Sequence, residues 1–505
     1  MSESESRSGG GGGRERSPAI EVRPSGPVTG QVCVPASKSL TNRALVLAAL
    51  ASGTSRLVRP LESEDIARMI GALESLGVRI TRIAQIAPTF PASVGTGARE
   101  DGVAGERGEA SESPGASDLR IEGRGGRFRA PARALDVGGS GTAMRFLAAL
   151  AALVPGEVLI DGDARMRARP IGPLLAALRA LGVDAVSVAG DGCPPVRVRG
   201  GRIAGGGAAL PGDVSSQFVS ALSMIAPFAG SEVVLDVAPP VVSRPYIDLT
   251  LSLMARFGAA PPRAETLANG GLRLTIAPRS GARAGGDADP EAGVDAGSDA
   301  GATGPYRATS YRVPPDASSA AYFFGAAALT AGRVLVETMD PSDGQADAKL
   351  LRLLPGLGCE VESGAAGTAV SGPASGRLAA FDLDMGDAPD LVPMLAVLAL
   401  FADGPCVIRG AANLRVKESD RIRALATEIA RLGAAAQERP DGLRIVPGPL
   451  RSARIETYDD HRIAMAFAVA GLATPGVTIA DPGCVAKSFP GFWTTLARVA
   501  PGAVR

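Results

Sequence analysis

The chain is poor in several residue types, and each shortage argues against a class of function. Its five cysteines (Cys33, Cys193, Cys359, Cys406, Cys484) are odd in number, widely spaced and never in a C-x-x-C pair, which argues against a disulfide framework or a cysteine zinc site. No metal and no cofactor are expected. Neither charge is in excess, since 52 Lys and Arg balance 52 Asp and Glu. A nucleic-acid or anionic-membrane binder working through its bulk field needs a basic surplus, so any anion binding must be local. The longest apolar run, Leu391 to Ala402, contains Pro393 and stops at 12 residues, short of the ~18 of a membrane span. Residues 1–17 hold no apolar segment, and their three Glu match three Arg, unlike a secretory or transit signal. A disordered tail is expected there, and a cytoplasmic protein.

Other scarcities point towards function. Against 48 Arg the chain has four Lys (Lys38, Lys349, Lys417, Lys487), three Asn (Asn42, Asn269, Asn413) and one His, His461. A sequence that uses Arg, Ala and Gly so freely retains these residues where its favoured ones are chemically unsuitable. Gly and Pro together make about 21% of the 505 residues, against an ordinary ~12%, which signals loop-rich inserts.

One unit recurs six times: an Ala/Leu-rich segment, a turn with Gly, then a short β-branched alternation. The turn glycines are Gly53, Gly156, Gly230, Gly332, Gly404 and Gly476, at spacings of 103, 74, 102, 72 and 72 residues. A period of about 72–74 residues underlies them. The two long intervals contain low-complexity stretches at about 85–117 and 278–306, too polar to offset ordering entropy, and these predict flexible surface inserts. A second amphipathic helix follows the strand in each of the first five units, as in DRIRALATEIARLG, and more loosely in the sixth. Alternating strands and helices make the class α/β, and six copies predict two domains of three, with functional groups where they face each other.

The unusual residues lie between the repeated cores. Pro35 to Arg43 (PASKSLTNR) places hydroxyls and a Lys where a helix begins, a setting suited to an anion but equally to a plain cap. Gly138 to Arg145 (GGSGTAMR) is a small-residue turn before a helix, and Asp163 to Pro170 carries three Arg in five residues. Ser215-Ser216-Gln217, Ser243-Arg244-Pro245-Tyr246, Asp316-Ala317-Ser318-Ser319 and Asp390 each read alone as caps or turns. Asn413 to Arg421 (NLRVKESDR) concentrates a Lys, an Asn and alternating charges, Asp459 to Arg462 holds the His, and Lys487-Ser488-Phe489-Pro490 another Lys. Lys349, in an ordinary amphipathic helix, serves as a control.

Taken in order, PASKSLTNRA, GSGTAMR, RMRARPIG, SSQF, SRPYID, DASSAAYF, RVKESDR, DDHRIAM and KSFP resemble the 5-enolpyruvylshikimate-3-phosphate synthase (3-phosphoshikimate 1-carboxyvinyltransferase) family, over Pro27 to Val499 apart from the inserts. The resemblance implies two similar domains, each of three βαβαββ repeats (an inside-out α/β barrel), with the active site in the interdomain cleft. By motif, one domain comprises 18–35 plus 314–505 and the other 36–313. The implied reaction moves the enolpyruvyl group of phosphoenolpyruvate to the 5-hydroxyl of shikimate 3-phosphate and releases phosphate, in the pathway to aromatic amino acids. A monomer with these two small-molecule substrates is expected, without nucleic acid or membrane partners.

The resemblance also implies roles. Ser215, Ser216 and Ser243 would hold the shikimate phosphate, while Lys38, Ser39, Arg43, Tyr246, Asp390, Asn413 and Lys417 would contact the rest of that substrate. Lys38, Gly141, Arg169, Gln217, Arg421, Arg462 and Lys487 would surround phosphoenolpyruvate, which would pack against the Gly141 α-carbon. Asp390 would be the base for the 5-hydroxyl, and Glu418, assisted by Lys487 or Lys38, would exchange the methylene proton. The substrates carry about −6 in total, and eight motif cations less Asp390 and Glu418 leave +6. A strongly self-repelling empty site, resting open, follows from that count. Three positions depart from the family's common residues: Ala36 for Gly, Gly139 for Asn and Phe146 for Pro. The related UDP-N-acetylglucosamine enolpyruvyl transferase uses a Cys in the loop aligned with Asp163 to Pro170, and this loop has none. A noncatalytic anion-binding relative would be expected to lack Asp390 or Glu418.

Overall fold

A computed structural model describes residues 18–84, 117–279 and 304–505. The expected tail at 1–17 lies outside the described residues, as does nearly all of both inserts.

Each repeat forms a small sheet. In the second, strand Leu135–Asp136 leads through helix Gly141–Leu150 to the parallel strand Gly156–Asp161, then through helix Gly172–Ala180 to the hairpin Asp184–Ser187 and Val196–Gly200. The hairpin's second strand pairs antiparallel beside Gly156–Asp161, closing a βαβαββ unit. The same order recurs in five four-stranded sheets. In the sixth, the looser copy in sequence, the sheet has three strands and the closing hairpin of the βαβαββ unit is missing. Its place beside Val477–Ile479 is taken by the chain's own first strand, Ile20–Val22, antiparallel.

Two strands are exchanged between the halves. Thr29–Val32 runs parallel to Arg333–Glu337, and Ser310–Arg312 parallel to Ser52–Val58. The chain therefore crosses twice, and the crossings lie side by side: Ser37 N donates to Pro314 O and Asp316 N to Pro35 O, each at 2.8 Å. Buried apolar side chains fall into two clusters, one of Leu40 to Val313 and one joining Val22 to Val34 with Ala317 to Ala503.

The Ala/Leu-rich segments become the inner helices Lys38–Leu50, Gly141–Leu150, Ser216–Ile225, Ala317–Leu329, Val392–Ala399 and His461–Gly471. They are buried almost all round, which is why they carry no polar stripe. The amphipathic segments form the outer helices; the fourth, Lys349–Leu353, is cut short before Pro355. At the turn between inner helix and strand, Gly53 sits at φ +91°, while Gly332 is needed because a Cβ there would lie 2.0 Å from Val28 O. Among the described residues no helix is long and apolar enough to cross a membrane.

The flanks of the inserts are ordered. Ile83 pairs with Asp118, so the first insert falls in the chain between two directly paired strands. The second low-complexity stretch is narrower than 278–306: Gly304 to Tyr306 are buried, Tyr306 Oη donates to Met224 O at 2.8 Å, and Arg279 donates to Gly304 O. Replacing 88–114 and 282–303 by short Gly/Ser bridges should therefore shift the melting temperature by only a few degrees and leave turnover within about twofold, given the weak dependence of closure entropy on loop length. Loss of folding or of activity in the double deletion would mean that an insert packs on the body.

Candidate active site

All six inner helices start at one cleft between the halves. It encloses about 100 Å³ and is lined from their first turns by Lys38, Gly141, Ser216, Gln217, Ser318, Asp390, His461 and Arg462, among others. Helix N-termini expose unpaired amides and the positive end of the dipole, so the fold itself directs six such ends at one volume.

Every residue expected at the site lines this cleft except Lys487, which stands behind it, its Nζ 3.9 Å from Glu418 Oε1 and donating to Gly139 O at 3.0 Å. Arg421 is the hub. It is 1% exposed, and its guanidinium donates to Asp390 Oδ1 (2.9 Å), Glu418 Oε2 (2.8 Å) and both oxygens of Asp460 (2.8 and 3.2 Å). Arg462 donates to Asp390 Oδ2 at 2.9 Å and Ser318 Oγ at 3.3 Å. Lys417 Nζ stands 4.0 Å from Asp390, and Lys38 Nζ 3.3 Å from Asp65.

These pairs set the proton affinities. Burial alone would raise Asp390, yet Arg462, Lys417 and Arg421 outweigh it and hold its carboxyl well below the usual range. Glu418 is likewise held low against burial by Arg421, Lys487 and Arg169. Burial, then Lys38 and Arg462, keep His461 neutral, and neither of its ring nitrogens has a hydrogen-bond partner. The cations that engage both carboxylates thus favour their ionised forms.

The count of +6 is corrected by four acids that it left out, two of them (Asp316 and Asp460) inside the quoted motifs and two (Asp65 and Asp347) outside them. Asp65, Asp316 and Asp347 line the cleft and Asp460 backs it, so the motif cations are largely neutralised within the protein. The halves touch. Arg165 donates across the cleft to the carbonyls of Lys417 and Glu418 (2.8–3.1 Å), Ser243 N to Gly386 O (2.7 Å), and Tyr246 Oη to Asp347 Oδ1 (3.3 Å).

Several expected residues have more to do locally than their motifs suggest. Arg43 is 1% exposed, and its five N–H groups meet Thr250 Oγ1, Ser39 O, Ser39 Oγ, Ser220 Oγ and Tyr246 O, so a ligand must displace one of them. Phe146, the departure from Pro, lies under that guanidinium at 5.4 Å. A Cβ on Gly141 would stand 2.6–2.8 Å from the Arg169 guanidinium; Arg169, not open cleft, is what packs there. A Cβ on Gly139 would meet Asp163 at 2.8 Å and Lys487 at 3.2 Å. Ser215 Oγ caps the Gln217 amide, and Gln217 Nε2 reaches Thr142 Oγ1 at 3.0 Å. Asn413 Oδ1 is buried without a partner in the cleft wall. The DASS segment is more than a cap: Asp316 caps Ser319 N (2.7 Å) and accepts from Lys38 N (3.2 Å), while Ser318 Oγ donates to Asp347. Lys349 is half-buried and donates to Asp384 O at 2.8 Å, away from the cleft.

Asp347 carries a testable signature. Burial pushes its carboxyl up to about 6, with Asp390 and Asp316 adding to the rise and Arg462 opposing it. An acid raised above its unfolded value of about 3.9 contributes stability that is complete below that value and lost as pH rises through about 6. Asp347→Asn removes this loss, so its stability relative to wild type should grow by roughly 1–3 kcal/mol between about pH 4 and pH 7 in denaturant unfolding. A pH-independent difference would contradict the assignment.

Comparison with known proteins agrees with this geometry. The sequence model described as EPSP synthase (3-phosphoshikimate 1-carboxyvinyltransferase) matches residues 22–94, 108–269 and 296–496. A 3-phosphoshikimate 1-carboxyvinyltransferase of Nostoc punctiforme is 40% identical over 468 residues, 93% of this chain and 96% of that one. Its counterpart in Methanoculleus marisnigri is 38% identical over 479 residues, 94% and 98% of the two chains. The solved EPSP synthase of Acinetobacter baumannii superposes with a TM-score of 0.70 at 26% identity, covering 96% of this chain and 99% of that one. Repeat architecture, cleft and near full-length similarity converge: the chain belongs to the EPSP synthase (3-phosphoshikimate 1-carboxyvinyltransferase) family.

Proposed function

We propose that this protein transfers the enolpyruvyl group of phosphoenolpyruvate to the 5-hydroxyl of shikimate 3-phosphate, releasing phosphate. The observation that carries the reading is the pairing of Asp390 and Glu418 with Arg421, Arg462, Lys417 and Lys487 at the mouths of six inner helices. Such a site holds two anions close together and keeps two carboxylates beside them.

Ser215, Ser216 and Ser243 bind the shikimate phosphate, and Tyr246, Asn413, Lys417 and Asp390 the ring, with Arg43 bracing Ser39 and the Tyr246 carbonyl from below. Phosphoenolpyruvate takes Arg421, Arg462, Arg169, Lys38, Gln217 and Lys487; guanidinium forks match its carboxylate and phosphate. These anions compete with Asp390 and Glu418 for the same cations. Binding thereby loosens the pairs that depress both carboxyls, and their proton affinity rises as the substrates arrive. Asp390 then accepts the 5-hydroxyl proton as that oxygen attacks C2 of phosphoenolpyruvate. The methylene carbon gains a proton from the Glu418–Lys487 pair, which takes one back from the methyl group as phosphate leaves. Domains of 18–35 plus 314–505 and of 36–313, hinged at the paired crossings, would supply the closing motion. All these residues belong to one chain, which supports a monomer, and five unpaired cysteines support a reducing, cytoplasmic setting.

Purified protein should release phosphate only when phosphoenolpyruvate and shikimate 3-phosphate are both present. Asp390→Asn and Glu418→Gln should each lower kcat by roughly 100-fold or more, as loss of a general acid or base does, while Lys349→Arg leaves turnover unchanged. Release with UDP-N-acetylglucosamine as acceptor, or full activity in both carboxylate variants, would overturn the reading.

A further inference from the structure

Two consecutive residues that are not glycine, Tyr458 and Asp459, adopt left-handed backbone at φ +55° and +54°. Such conformations persist only where the surroundings over-determine them. This pair immediately precedes Asp460, the N-cap of the last inner helix, and Arg462.

What holds the turn is a residue outside the cleft. Glu428 is fully buried on helix Arg421–Arg431, about two turns beyond Arg421. Its Oε1 accepts from Tyr458 Oη at 2.6 Å, and its Oε2 from Glu456 N at 3.2 Å and from Arg431 at 3.3 Å. At the other end of the same helix Arg421 holds Asp460, which also accepts from Arg462 N at 3.0 Å. One helix therefore grips residues 456–460 at two separated points. If the grip at Glu428 opens, Tyr458 Oη and the Glu456 amide lose their acceptor, the helix holds the segment only at Asp460, and the base from which Arg462 reaches the cleft is loosened.

We propose that Glu428 is a positioning residue: by binding Tyr458 Oη and the Glu456 amide it holds residues 456–460 in the turn that aims Arg462 at the anion site. The inference rests on the functional reading above, in which Arg462 binds phosphoenolpyruvate and the serines bind the shikimate phosphate. It predicts an asymmetric effect on the two substrates, which a loss of stability alone does not produce.

The test uses the full-length protein with Glu428→Ala, Glu428→Gln, Tyr458→Phe and, as a control, Tyr306→Phe, which removes a buried hydroxyl bond in the other core. In Glu428→Gln the amide oxygen can face the Glu456 amide and the NH₂ can face Tyr458 Oη, which then accepts, so this variant should restore wild-type behaviour. Glu428→Ala should raise KM for phosphoenolpyruvate by roughly tenfold or more, as loss of bonds to a charged group does, with KM for shikimate 3-phosphate changed less than about twofold. Tyr458→Phe should change the same constant in the same direction, and it carries the test if the alanine variant does not fold. Amide hydrogen exchange over 456–462 should quicken in Glu428→Ala and Tyr458→Phe and stay slow in Glu428→Gln and Tyr306→Phe. Equal rises in both KM values, exchange unchanged by Tyr458→Phe, or an equal KM effect from Tyr306→Phe would overturn the proposal. A wild-type protein that does not turn over the two substrates would sink the functional reading, while the exchange data would still decide what Glu428 does for the loop.

Discussion

Six helices buried on nearly every side have to present their ends somewhere, and in this fold their N-termini share one cleft. That constraint explains both the repeat and the chemistry. Each repeat supplies one apolar helix with a polar first turn, and the crossings at 32–38 and 312–317 let units from both halves face each other. A helix end contributes only about 0.3–2 kcal/mol towards an anion. A unit charge pair at ~4 Å is worth about 4 kcal/mol near a protein surface. The termini therefore orient the ligands and satisfy their oxygens, whereas the Lys and Arg side chains dominate the field.

That field is met by the protein's own carboxylates. Arg421 alone engages three carboxylates, and Arg462, Lys417 and Lys487 share two of them. Removing one partner from a buried pair typically costs about 3–5 kcal/mol, so the carboxylates act as internal stand-ins for substrate anions. They keep the cations in place, and two of them, Asp390 and Glu418, are the groups that the proposed mechanism uses as bases. Exchange of partners links binding to activation without any additional device.

Much of this was legible in the chain. The 72-residue period located the six inner helices and central strands, because a helix buried all round and a β-branched strand leave strong compositional marks. Scarcity of Lys located Lys38, Lys417 and Lys487. What stayed hidden came from elements brought together by topology. Asp347 lies two residues before Lys349 in a segment that reads as an ordinary amphipathic helix, yet it is buried and accepts from Tyr246 on the opposite half. Gln345 lines the cleft beside it; as one of five glutamines, two of them at the site, it could have been found by the same scarcity argument. The charge balance failed partly for the same reason, since Asp65 and Asp347 lie outside every motif, and partly because Asp316 and Asp460, inside motifs, read as helix caps and were not counted. The missing sixth hairpin was likewise invisible, since its replacement, Ile20–Val22, lies more than 450 residues away from Val477–Ile479 in the chain.

The central claim is that substrate anions take over Arg421 from the protein's own carboxylates. A crystal structure of the complex with shikimate 3-phosphate and an unreactive phosphoenolpyruvate analogue tests it most directly. The account predicts that the bonds from Arg421 to Asp390 and Glu418, now 2.9 and 2.8 Å, give way to bonds with the analogue, while the Asp460 bonds persist. A complex in which Arg421 keeps all three carboxylates and the analogue binds elsewhere would contradict it.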